Sequence, residues 1–174
     1  MDAANSAPFQ LRPAATTDID AIVDVWFTGW REAHLGHVPD ALLVHRSVET
    51  FRHRIPEILG ATTVAIVDHR VVGLVVTADD EIEQLYVAPD HRSTGIATAL
   101  LHHGETEIAN EHRSAFLAVV DGNTRARRFY ERHGWHDVGT FDYCAWTSTA
   151  EQVTVPCRRY ERVLGAVARP TPAS

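Results

Sequence analysis

The sequence contains no lysine, and all sixteen of its basic residues are arginine. A Gly-x-x-x-x-Gly-Lys nucleotide loop is therefore excluded. Glycine is sparse, ten residues in 174, and no strand-like run is followed by the three spaced glycines of a dinucleotide fingerprint. The two cysteines, Cys144 and Cys157, lack metal-ligand spacing and chelating neighbours. They read as buried or semi-buried free thiols rather than a disulfide or a nucleophile. The eleven histidines are scattered, with no His-x-x-x-His, and read as surface residues rather than a metal site. No apolar run approaches the roughly eighteen residues of a membrane span. Met1–Gln10 lacks the basic start and apolar centre of a signal peptide. A cytoplasmic protein with no membrane partner is the expectation. The net charge of −7, with histidine neutral, argues against nucleic-acid binding.

What is present is enough for one well-buried domain: 174 residues, 45% of them hydrophobic. That domain is expected over residues 9–164, with disordered tails at 1–8 and 165–174 rich in Ala, Ser and Pro. Phe9–Arg12 reads as a first strand. Thr17 is the expected cap of a helix whose Ile19, Ile22, Val23, Val25, Trp26 and Trp30 recur at helical spacing. After a loop at Leu35–Pro39, a second helix covers Val48–Leu59, with Pro56 as its bend or early end. Thr62–Val67 and Val71–Thr77 form a hairpin, Glu81–Val87 a fourth strand and Gly95–Asn110 a third helix. Ala115–Val120, Asn123–His133, Gly139–Trp146 and Val153–Val163 follow as strand, helix and a closing antiparallel pair.

Two segments carry chemistry. In Leu85-Tyr86-Val87-Ala88-Pro89-Asp90-His91-Arg92-Ser93-Thr94-Gly95-Ile96-Ala97-Thr98, a strand exits through a short polar loop into a helix. The free N–H groups of that helix start can hold an anion such as a pyrophosphate. Gly95 permits close approach to the backbone, and Arg92 adds a charged donor at the mouth. Farther on, Asn123-Thr124-Arg125-Ala126-Arg127-Arg128-Phe129-Tyr130-Glu131-Arg132-His133-Gly134-Trp135 follows another strand. Asn123 caps this helix, residues 126, 129 and 130 share one face, and Gly134 makes the C-terminal turn.

The first segment, as Arg-x-x-Gly-x-Ala, resembles the acetyl-CoA loop (Arg/Gln-x-x-Gly-x-Gly/Ala) of the GNAT acyltransferase superfamily. The second is similar to its Asn-x-x-Ala-x-x-Phe-Tyr-x-x-x-Gly-Phe signature, with Trp135 as the last aromatic. The two occur in the family's order and separation, and the resemblance extends over nearly all of residues 9–164. It implies an α/β (α+β) GNAT fold: a mixed six- to seven-stranded sheet with splayed parallel fourth and fifth strands, flanked by four helices.

The resemblance also implies N-acetyltransferase activity, with acetyl-CoA as co-substrate, no metal, and a small-molecule or peptide primary amine attacking directly in a ternary complex. Leu85, Tyr86 and Val87 would pair with pantetheine as an added strand. Arg92, Ser93, Thr94, Gly95, Ile96, Ala97 and Thr98 would hold the pyrophosphate, with Asn123 and Arg128 (of the run Arg125-Arg127-Arg128) also on the cofactor. Tyr130 matches the family's acid for the leaving thiolate. Glu81 sits where several members carry a base, with Glu83, on the same strand face, as the second candidate. Some ribosomal-protein N-terminal acetyltransferases carry a glutamate where this chain has Ala118, a departure from that subfamily. Trp30, His34, His37 and Tyr143 are the candidates for acceptor binding, at an entrance expected to be acidic and aromatic and suited to a cationic amine. Phe129 and Trp26 are expected in the core. A non-catalytic acyl-CoA sensor or interaction domain is the alternative, and a homodimer is left open.

Overall fold

The computed structural model describes residues 9–165; the tails expected at 1–8 and beyond Gly165 lie outside the described residues. Seven strands form one mixed sheet in the order β1-β2-β3-β4-β5-β7-β6. They are β1 (Gln10–Pro13), β2 (Thr62–Val67), β3 (Arg70–Ala78), β4 (Glu81–Val87), β5 (Ser114–Val120), β6 (His136–Ala145) and β7 (Val153–Val163). The helices are α1 (Ile19–His34), α2 (Asp40–Leu43), α3 (Val48–Ile58), α4 (Ile96–Ala109) and α5 (Thr124–Arg132). Among the described residues, no helix is long and apolar enough to cross a membrane.

The alternation of apolar residues sends side chains to both faces of the sheet. Trp26, Phe51, Ile55, Val64, Leu74 and Val76 pack beneath α1 and α3. Val75, Ile82, Leu100, Leu101, Tyr130, Trp135 and Tyr160 pack beneath α4 and α5. The only buried carboxylate of α4, Glu105, accepts from the Trp135 indole at 2.8 Å, so that core carries no orphaned indole donor.

Local details correct the expectations at element ends. Thr17 caps nothing: it lies in a 3-10 turn, Thr16–Asp18, that precedes α1. Asp18 organises this entry, accepting from Ala15 N at 2.8 Å and from both terminal nitrogens of Arg12 at 2.6 and 2.8 Å. The Arg12 guanidinium holds the Asp18 carboxyl below its ordinary range. Pro56 lies inside α3 without ending it. The single-turn α2 is too short for helical periodicity to register. Asn123 caps α5 as expected, accepting from Ala126 N at 3.1 Å.

The decisive feature is the pair β4 and β5. They run parallel but meet at one position only, Glu81 with Phe116, next to a Phe116 N to Asp80 O bond of 2.9 Å. From Ile82 onward the β5-facing backbone of β4 has no strand partner. The register between β3 and β4 also slips between Val76/Thr77, where Gln84 is followed by Ile82, leaving Glu83 as the extra residue of a bulge. A wedge opens between the two strands.

Candidate active site

Two cavities occupy the wedge and meet inside it. The larger, about 400 Å³, is bounded by Leu85, Tyr86 and Val87, by Arg92, Ser93, Gly95, Ala97 and Thr98, and by the exposed face of α5. Unpaired β4 backbone forms one wall, able to accept an extended chain as a strand. Helix α4 begins at its end. Its N-cap Gly95 has φ +87°, and Ser93 also adopts a left-handed φ of +61°. This turn presents the first amides of α4 together, the arrangement suited to an anion. Nothing lies within 4 Å of a Cβ built on Gly95, so conformation rather than crowding demands glycine there. Glu32 of α1 pairs with Arg92 and stands 4.0 Å from Arg125, tying the lips together. Across the cavity, His133 Nε2 and the Thr98 hydroxyl are 3.0 Å apart.

The smaller cavity, about 130 Å³, lies between α1, α3, β4 and β6. Glu81, Glu83, Gln84, His34, Arg46, Arg54, Tyr143 and Trp146 bring polar groups into it. Burial raises the Glu81 carboxyl to about 7, with the nearby Tyr143 phenol pulling down and the neighbouring Glu83 pushing up. Glu83 instead faces Arg54 at 3.6 Å. Burial lowers the His34 imidazole to about 4, so it is neutral, stacked on Trp30 at 4.7 Å between ring centres.

Tyr86 and Tyr130 line both cavities. Burial raises both phenols far above ordinary tyrosine, so each is a protonated donor. Among the described residues the Tyr130 hydroxyl has no hydrogen-bond partner, while its ring packs edge-on against Phe129. The Tyr86 ring lies against α1 at Gly29, where a Cβ would fall 2.4 Å from Tyr86 Cδ1. A carboxyl poised near neutrality on one side of a junction and an undissociated phenol at the junction itself have the protonation states that a general base and a general acid require.

The acetyltransferase (GNAT) family profile matches residues 21–135, from α1 through the second signature. The chain belongs to the acetyltransferase (GNAT) family. An uncharacterized N-acetyltransferase of Mycobacterium tuberculosis and one of Mycobacterium bovis are each 35% identical over 79 residues, 42% of this chain and 51% of theirs. The chain thus spans about half the length of the curated relatives it matches. Among solved structures, a GNAT-superfamily phosphinothricin acetyltransferase from Sinorhizobium meliloti, in complex with acetyl-CoA, aligns with TM-score 0.66 at 19% identity, over 95% of this chain and 94% of that one. An N-acetyltransferase from Thermoplasma acidophilum in complex with coenzyme A aligns with TM-score 0.63 at 16% identity, over 89% and 98%. These similarities establish the shared GNAT fold.

Against this GNAT frame, the structure gathers most of the residues singled out from sequence, but not all. Leu85, Tyr86, Val87, Arg92, Ser93, Gly95, Ala97, Thr98 and Asn123 line the larger cavity. Ile96 does not, being buried among the α4 core residues. Thr94 turns back to donate to the His91 carbonyl at 2.6 Å. Arg128 is exposed and lines neither cavity, and Arg127 is held by Tyr160 and Asp121. Arg125 and Arg132 line the cavity instead. Their spacing from Phe129, four and three residues along the helix, was the overlooked signal.

Phe129 packs on the core and also faces the cavity, and core-buried Trp26 donates to Gln84 Oε1 at 3.1 Å. Trp30, His34 and Tyr143 line the smaller cavity, whereas His37 does not. Its ring covers Gly122, where a Cβ would fall 2.1 Å from Nδ1. The histidines are not all at the surface: His45 is buried, with Ser148 Oγ 2.9 Å from Nδ1. Cys157 is buried in the smaller cavity's wall and Cys144 is exposed, both unpaired. The entrance expected to be acidic is mixed, because Arg46 and Arg54 join Glu81 and Glu83.

Proposed function

We propose that the chain transfers the acetyl group of acetyl-CoA to a primary amine by direct attack in a ternary complex. The observation that carries this reading is the junction: a strand-lined, amide-tipped cavity and a small polar cavity share Tyr86 and Tyr130, with Glu81 in the small one. The residues suit acetyl-CoA. The open backbone of Leu85–Val87 matches an extended pantetheine arm, and the start of α4, with Arg92 and Arg125, matches its phosphates. Bound there, acetyl-CoA would supply an activated acyl thioester at the junction.

Glu81 then accepts the proton of the entering ammonium, freeing the lone pair. A backbone N–H at the break of β4 polarises the acyl carbonyl. As the C–N bond forms and the C–S bond breaks, Tyr130 donates its phenolic proton to the departing thiolate, and the second nitrogen proton, released as the amide forms, restores the phenol. Glu83, engaged by Arg54, is the less suited base. Trp30, His34 and Tyr143 contact the acceptor, and the small cavity favours a small amine over a folded peptide.

The test is release of free thiol from acetyl-CoA across a panel of amines, beside thermal stability with and without acetyl-CoA. Stabilisation with amine-dependent thiol release supports transfer. Stabilisation without release from any amine would make the chain an acyl-CoA sensor instead.

A further inference from the structure

The smaller cavity holds a charge that acetyl transfer does not use. The guanidinium of Arg46, from the segment between α2 and α3, lies between two indoles, 5.2 Å from the Trp30 ring centre and 5.1 Å from that of Trp146. Nη1 donates to the His45 carbonyl at 3.1 Å and Nη2 to the Trp146 carbonyl at 2.7 Å. These bonds leave the Nε–H and one N–H on each terminal nitrogen. Among the described residues no carboxylate pairs with Arg46. Glu83 is engaged by Arg54, and Glu81 has Tyr143 beside it. Burial accordingly makes this cation easier to deprotonate than an ordinary arginine, lowering it to about 10, yet it remains charged at neutral pH.

A desolvated cation without a counter-ion is unfavourable unless something else supplies the negative charge. Two ring faces and two carbonyl bonds also fix this guanidinium, and a fixed planar fork is the arrangement that recognises an oxyanion. Tyr143 lies within electrostatic reach of both Arg46 and Glu81. The cation and the proposed base therefore occupy one small cavity around one phenol.

We infer that the acceptor is an amine that also carries an oxyanion, a carboxylate or a phosphoryl group, and that Arg46 binds that oxyanion. The inference rests on the acetyl-transfer reading, because it names the acceptor of that same cavity. Such a molecule lies with its amine toward Glu81 and its oxyanion toward the Trp30–Arg46–Trp146 stack.

The experiment compares matched pairs: common L-amino acids against their primary amides, and O-phosphoethanolamine against ethanolamine. Thiol release with acetyl-CoA and thermal shift by each amine alone are both read, for wild type, Arg46→Gln and Arg46→Lys. The expected result is at least one pair in which the anionic member leads by about tenfold or more in kcat/KM. That lead should shrink toward unity in Arg46→Gln and recover in part in Arg46→Lys. The arm that responds distinguishes carboxylate from phosphoryl. Amides or ethanolamine turned over as well as their anionic partners would overturn the inference and leave acetyl transfer standing. An Arg46-dependent thermal shift without thiol release would sink acetyl transfer and keep the oxyanion subsite. Neither shift nor release would sink both. The wild-type pairs decide the matter even if a variant fails to fold.

Discussion

One wall of the larger cavity is main chain and small residues, the open edge of Leu85–Val87, the turn at Ser93–Gly95 and the first amides of α4, faced by Arg125, Phe129 and Arg132 of α5. The smaller one is walled by long side chains from α1, α3, β4, β6 and the segments beside them: Trp30, Arg46, Arg54, Glu81, Tyr143 and Trp146. The first arrangement recognises a shape and an anion that many side-chain sets tolerate. The second is shaped by side chains, so every substitution there changes its wall. The wedge between β4 and β5 thus joins a general half to a particular half, and Tyr130 belongs to both.

Substitutions that strike one half and spare the other test this division. The largest effect is expected on the particular half. With Glu81 as base, wild-type kcat/KM should climb as pH rises through about 7. Glu81→Gln should lack that climb and lose about 10³-fold near neutrality. Part of the loss should return at higher pH, where the free amine forms unaided. A wild-type profile flat from pH 6 to 8 would remove Glu81 from the chemistry. At the junction, Tyr130→Phe should lower kcat about 10²-fold, with only a modest change in acetyl-CoA affinity by titration calorimetry. Wild-type turnover under chemistry-limited conditions would give the proton to another donor.

On the general half, Gly95→Val must adopt a φ of +87°, a conformation worth about 1–3 kcal/mol for a branched residue. Acetyl-CoA affinity should fall about tenfold while acceptor KM stays put; unchanged affinity would displace the anion site from this turn. Gly29→Ala drives a methyl into the Tyr86 ring and should cost about 1–3 kcal/mol of stability. An unshifted denaturation midpoint would mean that the ring moves freely.

The smallest effect is thermodynamic. The folded Glu81 carboxyl binds its proton more tightly than the unfolded one, raised from 4.5 to about 7. Its contribution is complete below about 4.5 and lost as pH rises through about 7. Glu81→Gln cannot ionise, so its Tm should gain on wild type between pH 5 and pH 8, by several degrees. A constant difference across that range would contradict the burial that tunes the base.

The general half was legible in the sequence because it is contiguous. A strand, a turn and a helix start within one short stretch carry their own backbone geometry, and Asn123 to Trp135 does the same for α5. The particular half was only partly legible. Arg46 and Arg54 meet Glu81 and Tyr143 through tertiary packing between segments far apart in sequence, and no local spacing announces that. His37 misled because a histidine near a loop reads alike whether it faces a cavity or covers Gly122. Arg128 misled because successive residues of a helix point about 100° apart, and only the spacing from Phe129 separates Arg125 and Arg132 from Arg127 and Arg128.

Arg46 and Arg54 line one cavity, and Arg92, Arg125 and Arg132 the other; no lysine could take their places in this sequence. Under the proposed acetyl transfer, the difference matters beside an acyl thioester. Burial that brings Arg46 down to about 10 would carry a lysine, starting near ~10.4, toward neutrality and bare its lone pair. Such a side chain would compete with the true acceptor and be capped in the process. Guanidinium keeps its charge and stays inert. A chain working in that way can hold positive charge around a reactive acyl group without offering a side-chain amine of its own to be consumed.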